Sequence, residues 1–460
     1  MSAAPGKRRP RIGRRWRLAV LLSLLAPHVH AEPLTLFDAW QLAREHDPTF
    51  QAAQHDREAG LQSYAIGRSY LLPKISGVVY RGRMTGDRKY PLYGRTISDS
   101  LDSSSSQDIL QMRQPIYNHE AFARFRLGRV QADYAEVAFA GAELDLVTRL
   151  ATAYLNLMLA QDLIDAAKAQ LTAYEEHVKR ATASFQRGEG TRTDVSDAES
   201  RASLARADLL DATDNFAVAQ QSLQAIIGEV PPQLPTVSGD FTLPPLDPPE
   251  LEHWMDTAKQ KSPRIVAERL TVEAARHNVS IARAGFLPSI ELTATTGKSE
   301  SDSTSTVNQT IHNSTVGVQM TMPLFAGGGV KATADQAVAK LKREQSTLEA
   351  TINDVLLEVR KDWQATTSAS ARIAAYQRAA DSAALVQRGV DVGIRAGTHV
   401  AADALDATRL LYVSRRDLAK ARYEYVSARL RLLAAAGKER DISRRNFMAV
   451  GSLSGKQNGR

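Results

Sequence analysis

Two aspartates, Asp403 and Asp406, stand three positions apart in the alanine-rich run AGTHVAADALDATRLLY, residues 396–412. In an α-helix, positions i and i+3 share a face, with Cβ atoms about 5–6 Å apart. Two carboxylates held that close repel, which raises the pKa of one of them. In a lone chain they would be acidic residues in the first turns of a helix, where they favour the helix dipole. Several copies around one axis would instead form a carboxylate ring, a physical means of favouring cations. The local sequence leaves both readings open.

Nothing else in the chain is spaced for covalent or metal chemistry. It has no HExxH, no P-loop and no GxSxG, and no cysteine to act as nucleophile. Its ten histidines are scattered without metal-ligand spacing. The sequence therefore predicts no enzyme activity, no cofactor and no metal.

The N-terminus begins MSAAPGKRRPRIGRRWRLAVLLSLLAPHVHA. A basic segment, a short apolar core (Leu18 to Ala26) and the small-residue pattern Val29-His30-Ala31 predict a secretory signal peptide over residues 1–31. The apolar core is too short to span a bilayer, which needs about 20 residues. Of 58 Lys+Arg against 51 Asp+Glu, the leader takes seven basic residues and no acidic one, leaving 51 against 51. The basic pI is thus a property of the leader and gives no support to nucleic-acid binding. An exported chain without disulfides must be held by a packed core or by oligomerisation.

The elements that would position the aspartates are written twice. YLLPKI (70–75) resembles GFLPSI (285–290), QPIY (114–117) resembles MPLF (322–325), RGEGT (187–191) resembles RAGT (395–398), and IIG (226–228) resembles AAG (435–437). Four matches in one order at nearly constant offset mean a duplicated unit. The copies occupy residues 32–229 and 251–438. A Pro-rich linker (230–250) joins them, and a polar, basic tail (439–460) follows.

Each copy predicts a helix of about 35 residues (Leu36–Tyr70; Leu251–Gly285) and then a β-hairpin. In the second copy Val316, Val318, Met320 and Met322 alternate with polar residues, so one face of that strand is apolar. The predicted strands cover about 75–84 and 108–116, and about 289–296 and 314–324, with polar loops at 86–107 and 297–313. Long helices follow. Val147, Leu150, Tyr154, Leu157, Ile164 and Leu171, and in the second copy Leu341, Leu348, Ile352, Val355 and Val359, recur at coiled-coil spacing. Some 65 residues of helix make a rod of about 100 Å.

Four strands per chain cannot close a barrel, and their apolar face must meet lipid or another chain. Three chains would supply twelve strands. Rods of about 100 Å exceed the ~30 Å hydrocarbon layer and must stand in aqueous space. A soluble coiled-coil rod with two incidental hairpins is the alternative.

Taken together and in order, the leader, LLPKI and FLPSI, QPIY and MPLF, RGEGTRTDV and GTHVAADALDA resemble the TolC family of outer-membrane efflux and secretion proteins, over essentially all of the chain to Gly437. The resemblance implies a mainly α fold with membrane β: a homotrimer with a 12-stranded outer-membrane barrel on a periplasmic helical tunnel. It implies a passive conduit that docks on an inner-membrane adaptor and an ABC transporter. The absence of a lipoprotein cysteine resembles the branch that secretes proteins, RTX toxins among them. Drug efflux is the alternative, and a pore-less periplasmic adaptor a more distant one. The family motif GTxxxxDxLD places its selectivity ring on Asp403 and Asp406. The family's closed state is latched by a tyrosine and an arginine bonded to an aspartate. Thr193 and Asp194 match the acceptor side. Ile394 stands at the tyrosine position and His399 at the arginine position, so the latch is expected to be weakened, with Arg192 and Arg395 near enough to substitute. A His399 facing Asp194 would make it pH-sensitive.

Overall fold

The computed structural model describes residues 34–229, 246–302 and 308–437. The leader, most of the linker and the tail lie outside them. The order of elements is α1 (Leu36–His46), α2 (Pro48–Ser69), β1 (Lys74–Leu92), β2 (Arg95–Tyr117), α3 (His119–Gln186) and α4 (Arg192–Ile227). After the linker come α5 (Leu251–Lys261), α6 (Pro263–Ala284), β3 (Ser289–Ser301), β4 (Gln309–Thr321), α7 (Gly329–Arg395) and α8 (Ala401–Ala435).

The helix expected to run unbroken at the start of each copy is two helices. Asp47 caps α2 by accepting from the Phe50 amide at 2.8 Å, with Pro48 in the first helical position. Ser262 and Pro263 make the same break between α5 and α6. Proline suits a first helical turn but cannot continue a helix through itself, because it lacks the N–H and clashes with the preceding turn. The break lets α1 and α5 fold back against the long helices, where Leu36, Phe50, Tyr154, Leu157, Trp254 and Ile265 are almost wholly buried. Buried acids in this belt have cationic partners. Asp47 takes Arg149 at 2.8 Å, and Asp362 of α7 takes Arg431 of α8 at 3.1 Å.

The heptad residues Val147, Leu150, Tyr154, Leu157 and Ile164 are buried along α3, as their spacing predicts. Nearer the sheet, α2 crosses α3 with little room between the backbones. A Cβ at Gly128 would lie 2.3 Å from the Ser63 carbonyl oxygen and 3.0 Å from the Gly67 Cα. Alanine at this crossing would force the helices apart.

The strands form one antiparallel sheet in the order β1-β2-β3-β4, with a register shift between Pro115 and Tyr117. The first hairpin is far longer than expected. The polar run read as a loop over 86–107 is strand, closed by a two-residue turn at Tyr93-Gly94 (φ 48° and 76°). Paired positive φ values are those of a type I′ turn, whose twist matches the strands. Beyond Ser105, where β2 leaves β3, the first hairpin continues alone for about 30 Å. Bidentate Arg83–Asp102 contacts (2.7 and 2.6 Å) tie its strands. Ser98 to Ser106 is polar on both faces, so its sequence shows no apolar alternation to mark it as strand. In the second hairpin β4 stops at Thr321, short of the predicted 324, since Pro323 has no N–H for a ladder.

Among the described residues no helix is long and apolar enough to cross a membrane.

Candidate functional site

Two parts of the molecule carry the residues singled out in the sequence: the helix tips remote from the sheet, and one face of the sheet itself.

At the tips, α3 turns into α4 and α7 turns into α8. The α4 start is a complete capping box. The Asp194 amide donates to Thr191 Oγ1 at 3.1 Å, and the Thr191 amide and hydroxyl donate to Asp194 Oδ2 at 2.9 and 2.7 Å. Those two donors hold the Asp194 carboxyl below the usual carboxylate range. The α8 start is half of the same device. Val400 occupies the cap position and has no side-chain acceptor, but its amide donates to Asp403 Oδ2 at 3.2 Å. Asp403 is therefore the counterpart of Asp194, two residues out of step with the Gly-Thr alignment.

The aspartate pair does not face inward on itself. Asp403 Oδ2 meets His399 Nδ1 at 3.0 Å, and Asp406 Oδ1 accepts from Arg201 Nη1 of α4 at 2.9 Å. The expectation that mutual repulsion would raise one of the two is not met at Asp403. Its contact with His399, helped by the Val400 amide, holds it below the usual range. Both side chains remain substantially exposed (45% and 60%), so they still present charge to water.

Within the chain the latch residues do not come together. His399 bonds to Asp403 of its own helix start, while Asp194 is occupied by Thr191. Ile394 lies half-exposed in the last turn of α7, and Arg395 Nε donates to the Asp391 carbonyl of its own helix at 3.3 Å. Arg192 and Thr193 are exposed on the first turn of α4.

Other residues join the two hairpins. Arg201–Asp406 links α4 to α8. Arg180 Nη1 reaches Asp391 Oδ1 at 3.4 Å, linking α3 to α7. His177 Nε2 lies 3.1 Å from the Oγ1 of the buried Thr408, linking α3 to α8, and Gln387 Nε2 donates to the same oxygen at 3.4 Å. Burial pushes the His177 pKa down, and Arg180 adds to the effect, which favours the neutral ring. The sequence reading missed these contacts. The only local sign of Arg201 was its i, i+4 spacing from Asp197, which reads as an ordinary surface pair.

On the sheet, Val316, Val318 and Met320 are 65–74% exposed. Their cross-strand partners are Ala294, Leu292 and Ile290, and the row through Val316 and Ala294 continues to Met112 and Ile75. One face thus carries an apolar band across all four strands. Met322, placed with them in the sequence, lies just past the end of β4 and is 49% exposed. Above the band the same face turns charged, with Arg81 bound to Asp108 at 2.7 and 2.9 Å. The opposite face carries Thr315, Gly317 and Gln319.

A long helical hairpin, duplicated and rooted in a four-stranded sheet, is a fold that known proteins share. The family described as "Outer membrane efflux protein" matches residues 39–229 and 254–438. The chain belongs to this family. It is 35% identical to the alkaline protease secretion protein AprF of Pseudomonas aeruginosa, over 96% of this chain and 91% of that one. It is 30% identical to the proteases secretion protein PrtF of Dickeya chrysanthemi, over 91% of each chain. In fold it is similar to the crystal structure of the Campylobacter jejuni CmeC outer membrane channel, with a TM-score of 0.78 at 17% identity, covering 91% of this chain and 89% of that one. The protein is an outer-membrane channel protein with a helical body in the periplasm, and its family is not one of enzymes.

Proposed function

We propose that three copies close their sheets into a twelve-stranded barrel, and their helices into a tunnel. The assembly is a passive conduit through which a polypeptide leaves the cell in one step. The observation that carries this is the open four-stranded sheet. Among the described residues the outer edges of β1 and β4 pair with no further strand, and the apolar band spans all four strands. An edge and a face of that kind are unstable in water and are satisfied together by closure within lipid. Its apolar rows on β4 run from Val316 to Met320, within the band of about 25 Å that such barrels present to lipid. The face bearing Thr315, Gly317 and Gln319 then lines the lumen.

The exported class is read as protein, driven by an ABC transporter through a periplasmic adaptor, in keeping with the similarity to the protease secretion proteins AprF and PrtF. Asp403 and Asp406 of three chains ring the periplasmic mouth. The links Arg201–Asp406, Arg180–Asp391 and His177–Thr408 hold the α3/α4 and α7/α8 hairpins together, in place of the latch that Ile394 and His399 cannot make.

The test is complementation. Cells lacking their own outer-membrane component, but holding a protease-exporting transporter and adaptor, should regain secreted protease when this chain is supplied. Restored resistance to small toxic compounds without protease secretion would assign the chain to drug efflux instead.

A further inference from the structure

Where the sheet meets the helices, two cations stand directly opposite each other on neighbouring strands. Lys74 of β1 is the register partner of Arg113 of β2, and the row continues through Thr293 to Gly317. Like charges opposed across a strand pair repel and weaken it. Among the described residues neither Lys74 nor Arg113 is in an ion pair. The Lys74 ammonium lies 5.4 Å from the Tyr70 ring centroid, and the Arg124 guanidinium approaches the same ring at 5.2 Å. Lys74, Arg113 and Arg124 line one cavity of about 380 Å³. Two acids share it. Glu120 is taken by Arg124 at 2.7 Å, and Glu291 lies on the β3 wall opposite Pro115. With Glu120 taken by Arg124, Lys74 and Arg113 face the single acid Glu291, so the cavity keeps a surplus of one positive charge to act on a ligand.

Side chains alternate along a strand, so this row faces away from the adjacent apolar row of Ile75, Met112, Ala294 and Val316. On the reading that the apolar face meets lipid, Lys74 and Arg113 face the lumen, at the level where barrel becomes tunnel. Lipid headgroups are on the other side of the wall. What passes on this side is the cargo.

We infer that Lys74 and Arg113 form a carboxylate-binding site for acidic segments of the exported polypeptide, repeated around the lumen. Guanidinium matches a carboxylate with two parallel hydrogen bonds, and the ammonium beside it adds a point charge. An acidic segment leaving a mouth lined with Asp403 and Asp406 would meet opposite charge at the far end of the tunnel, which favours forward passage. The inference rests on the conduit reading above.

The experiment is single-channel recording of the purified full-length protein in low salt, with hexaglutamate as the probe. Wild type should be blocked by hexaglutamate, and Lys74→Gln with Arg113→Gln should need about tenfold more peptide for the same block. The charge-preserving Lys74→Arg with Arg113→Lys should keep most of the block. Hexalysine block, which reads the Asp403 end, should be the same in all three. Channels that conduct normally, with equal hexaglutamate block in wild type and the glutamine variant, would overturn the inference and leave the conduit intact. Inorganic phosphate blocking as well as hexaglutamate at equal charge would also overturn it, since the row would then be a general anion site. A protein that forms no channels would remove the conduit reading and the inference together.

Discussion

The two copies of the repeated unit agree closely where they are buried and part company where they meet solvent. Both break their first helix at an X-Pro step, and both bury heptad residues along a helix of nearly 70 residues. Yet the first hairpin has strands of 19 and 23 residues and the second has 13 and 13. The first helix tip has a complete capping box, whereas the second has half of one and gives its carboxylate a histidine. Packing constrains the shared parts, because a change of one methylene in a core is felt by every neighbour. The tips and the outer hairpin are freed from that constraint, and there each copy carries different polar chemistry.

The sharpest test of this contrast lies in the sheet, where one residue step separates two environments. Val318→Arg places a charge on the apolar band and should cost about 2–4 kcal/mol near the bilayer midplane, seen as loss of heat-labile trimer from outer-membrane extracts. Gln319→Arg should leave the trimer at wild-type level. Equal tolerance of both would remove the lipid assignment of that face.

Next in size is the pair of helix breaks. Asp47 is buried, caps α2 and holds Arg149, whereas Ser262 makes no side-chain cap bond. Asp47→Ala should therefore destabilise by about 3 kcal/mol, from the lost cap and the broken buried pair. Ser262→Ala should cost under about 0.5 kcal/mol. Both are read by denaturant melts of the detergent-solubilised protein. Burial opposes the charged form of Asp47, but the bonds from Arg149 and the Phe50 amide outweigh it and leave its pKa low. Its stabilisation is complete above the ordinary carboxylate value of 3.8 and is lost as pH falls through the lower folded value. Asp47→Ala should accordingly narrow its gap to wild type as pH falls below the ordinary carboxylate value of 3.8.

The smallest effect is at the tips. Thr191→Ala removes a full cap and should cost about 1 kcal/mol, while Val400→Thr completes the missing half and should gain about 0.5 kcal/mol. Hydrogen-exchange protection in the first turns of α4 and α8 would report both. If Val400→Thr loosens α8, the likeness between Asp403 and Asp194 is only geometric.

How much of this was legible beforehand follows the same division. Val316, Val318 and Met320 declared their shared face because side chains alternate along a strand and these three are apolar between polar neighbours. Ser98 to Ser106 declared nothing, since serines and aspartates on both faces leave no apolar alternation, and so it read as a loop. The X-Pro steps were visible at Pro48 and Pro263 but were passed over in favour of an unbroken helix. The clasp was not legible at all. Arg201 and Asp406 are 205 residues apart on partly exposed helix faces, and no apolar pattern marks which faces meet. Reading the two aspartates as a pair also hid the separate partner that each one holds, His399 for Asp403 and Arg201 for Asp406.

The central claim is that the chain is a tunnel held at its periplasmic mouth by Arg201–Asp406 rather than by the family's usual latch. Planar-bilayer recording of purified wild type and Arg201→Gln tests it most directly. The account predicts uniform stepwise openings from wild type and a larger conductance from Arg201→Gln. The variant loses the link between α4 and α8 without losing a residue of the barrel. Equal conductance from the two proteins would contradict the clasp, and an absence of channels in both would contradict the conduit itself.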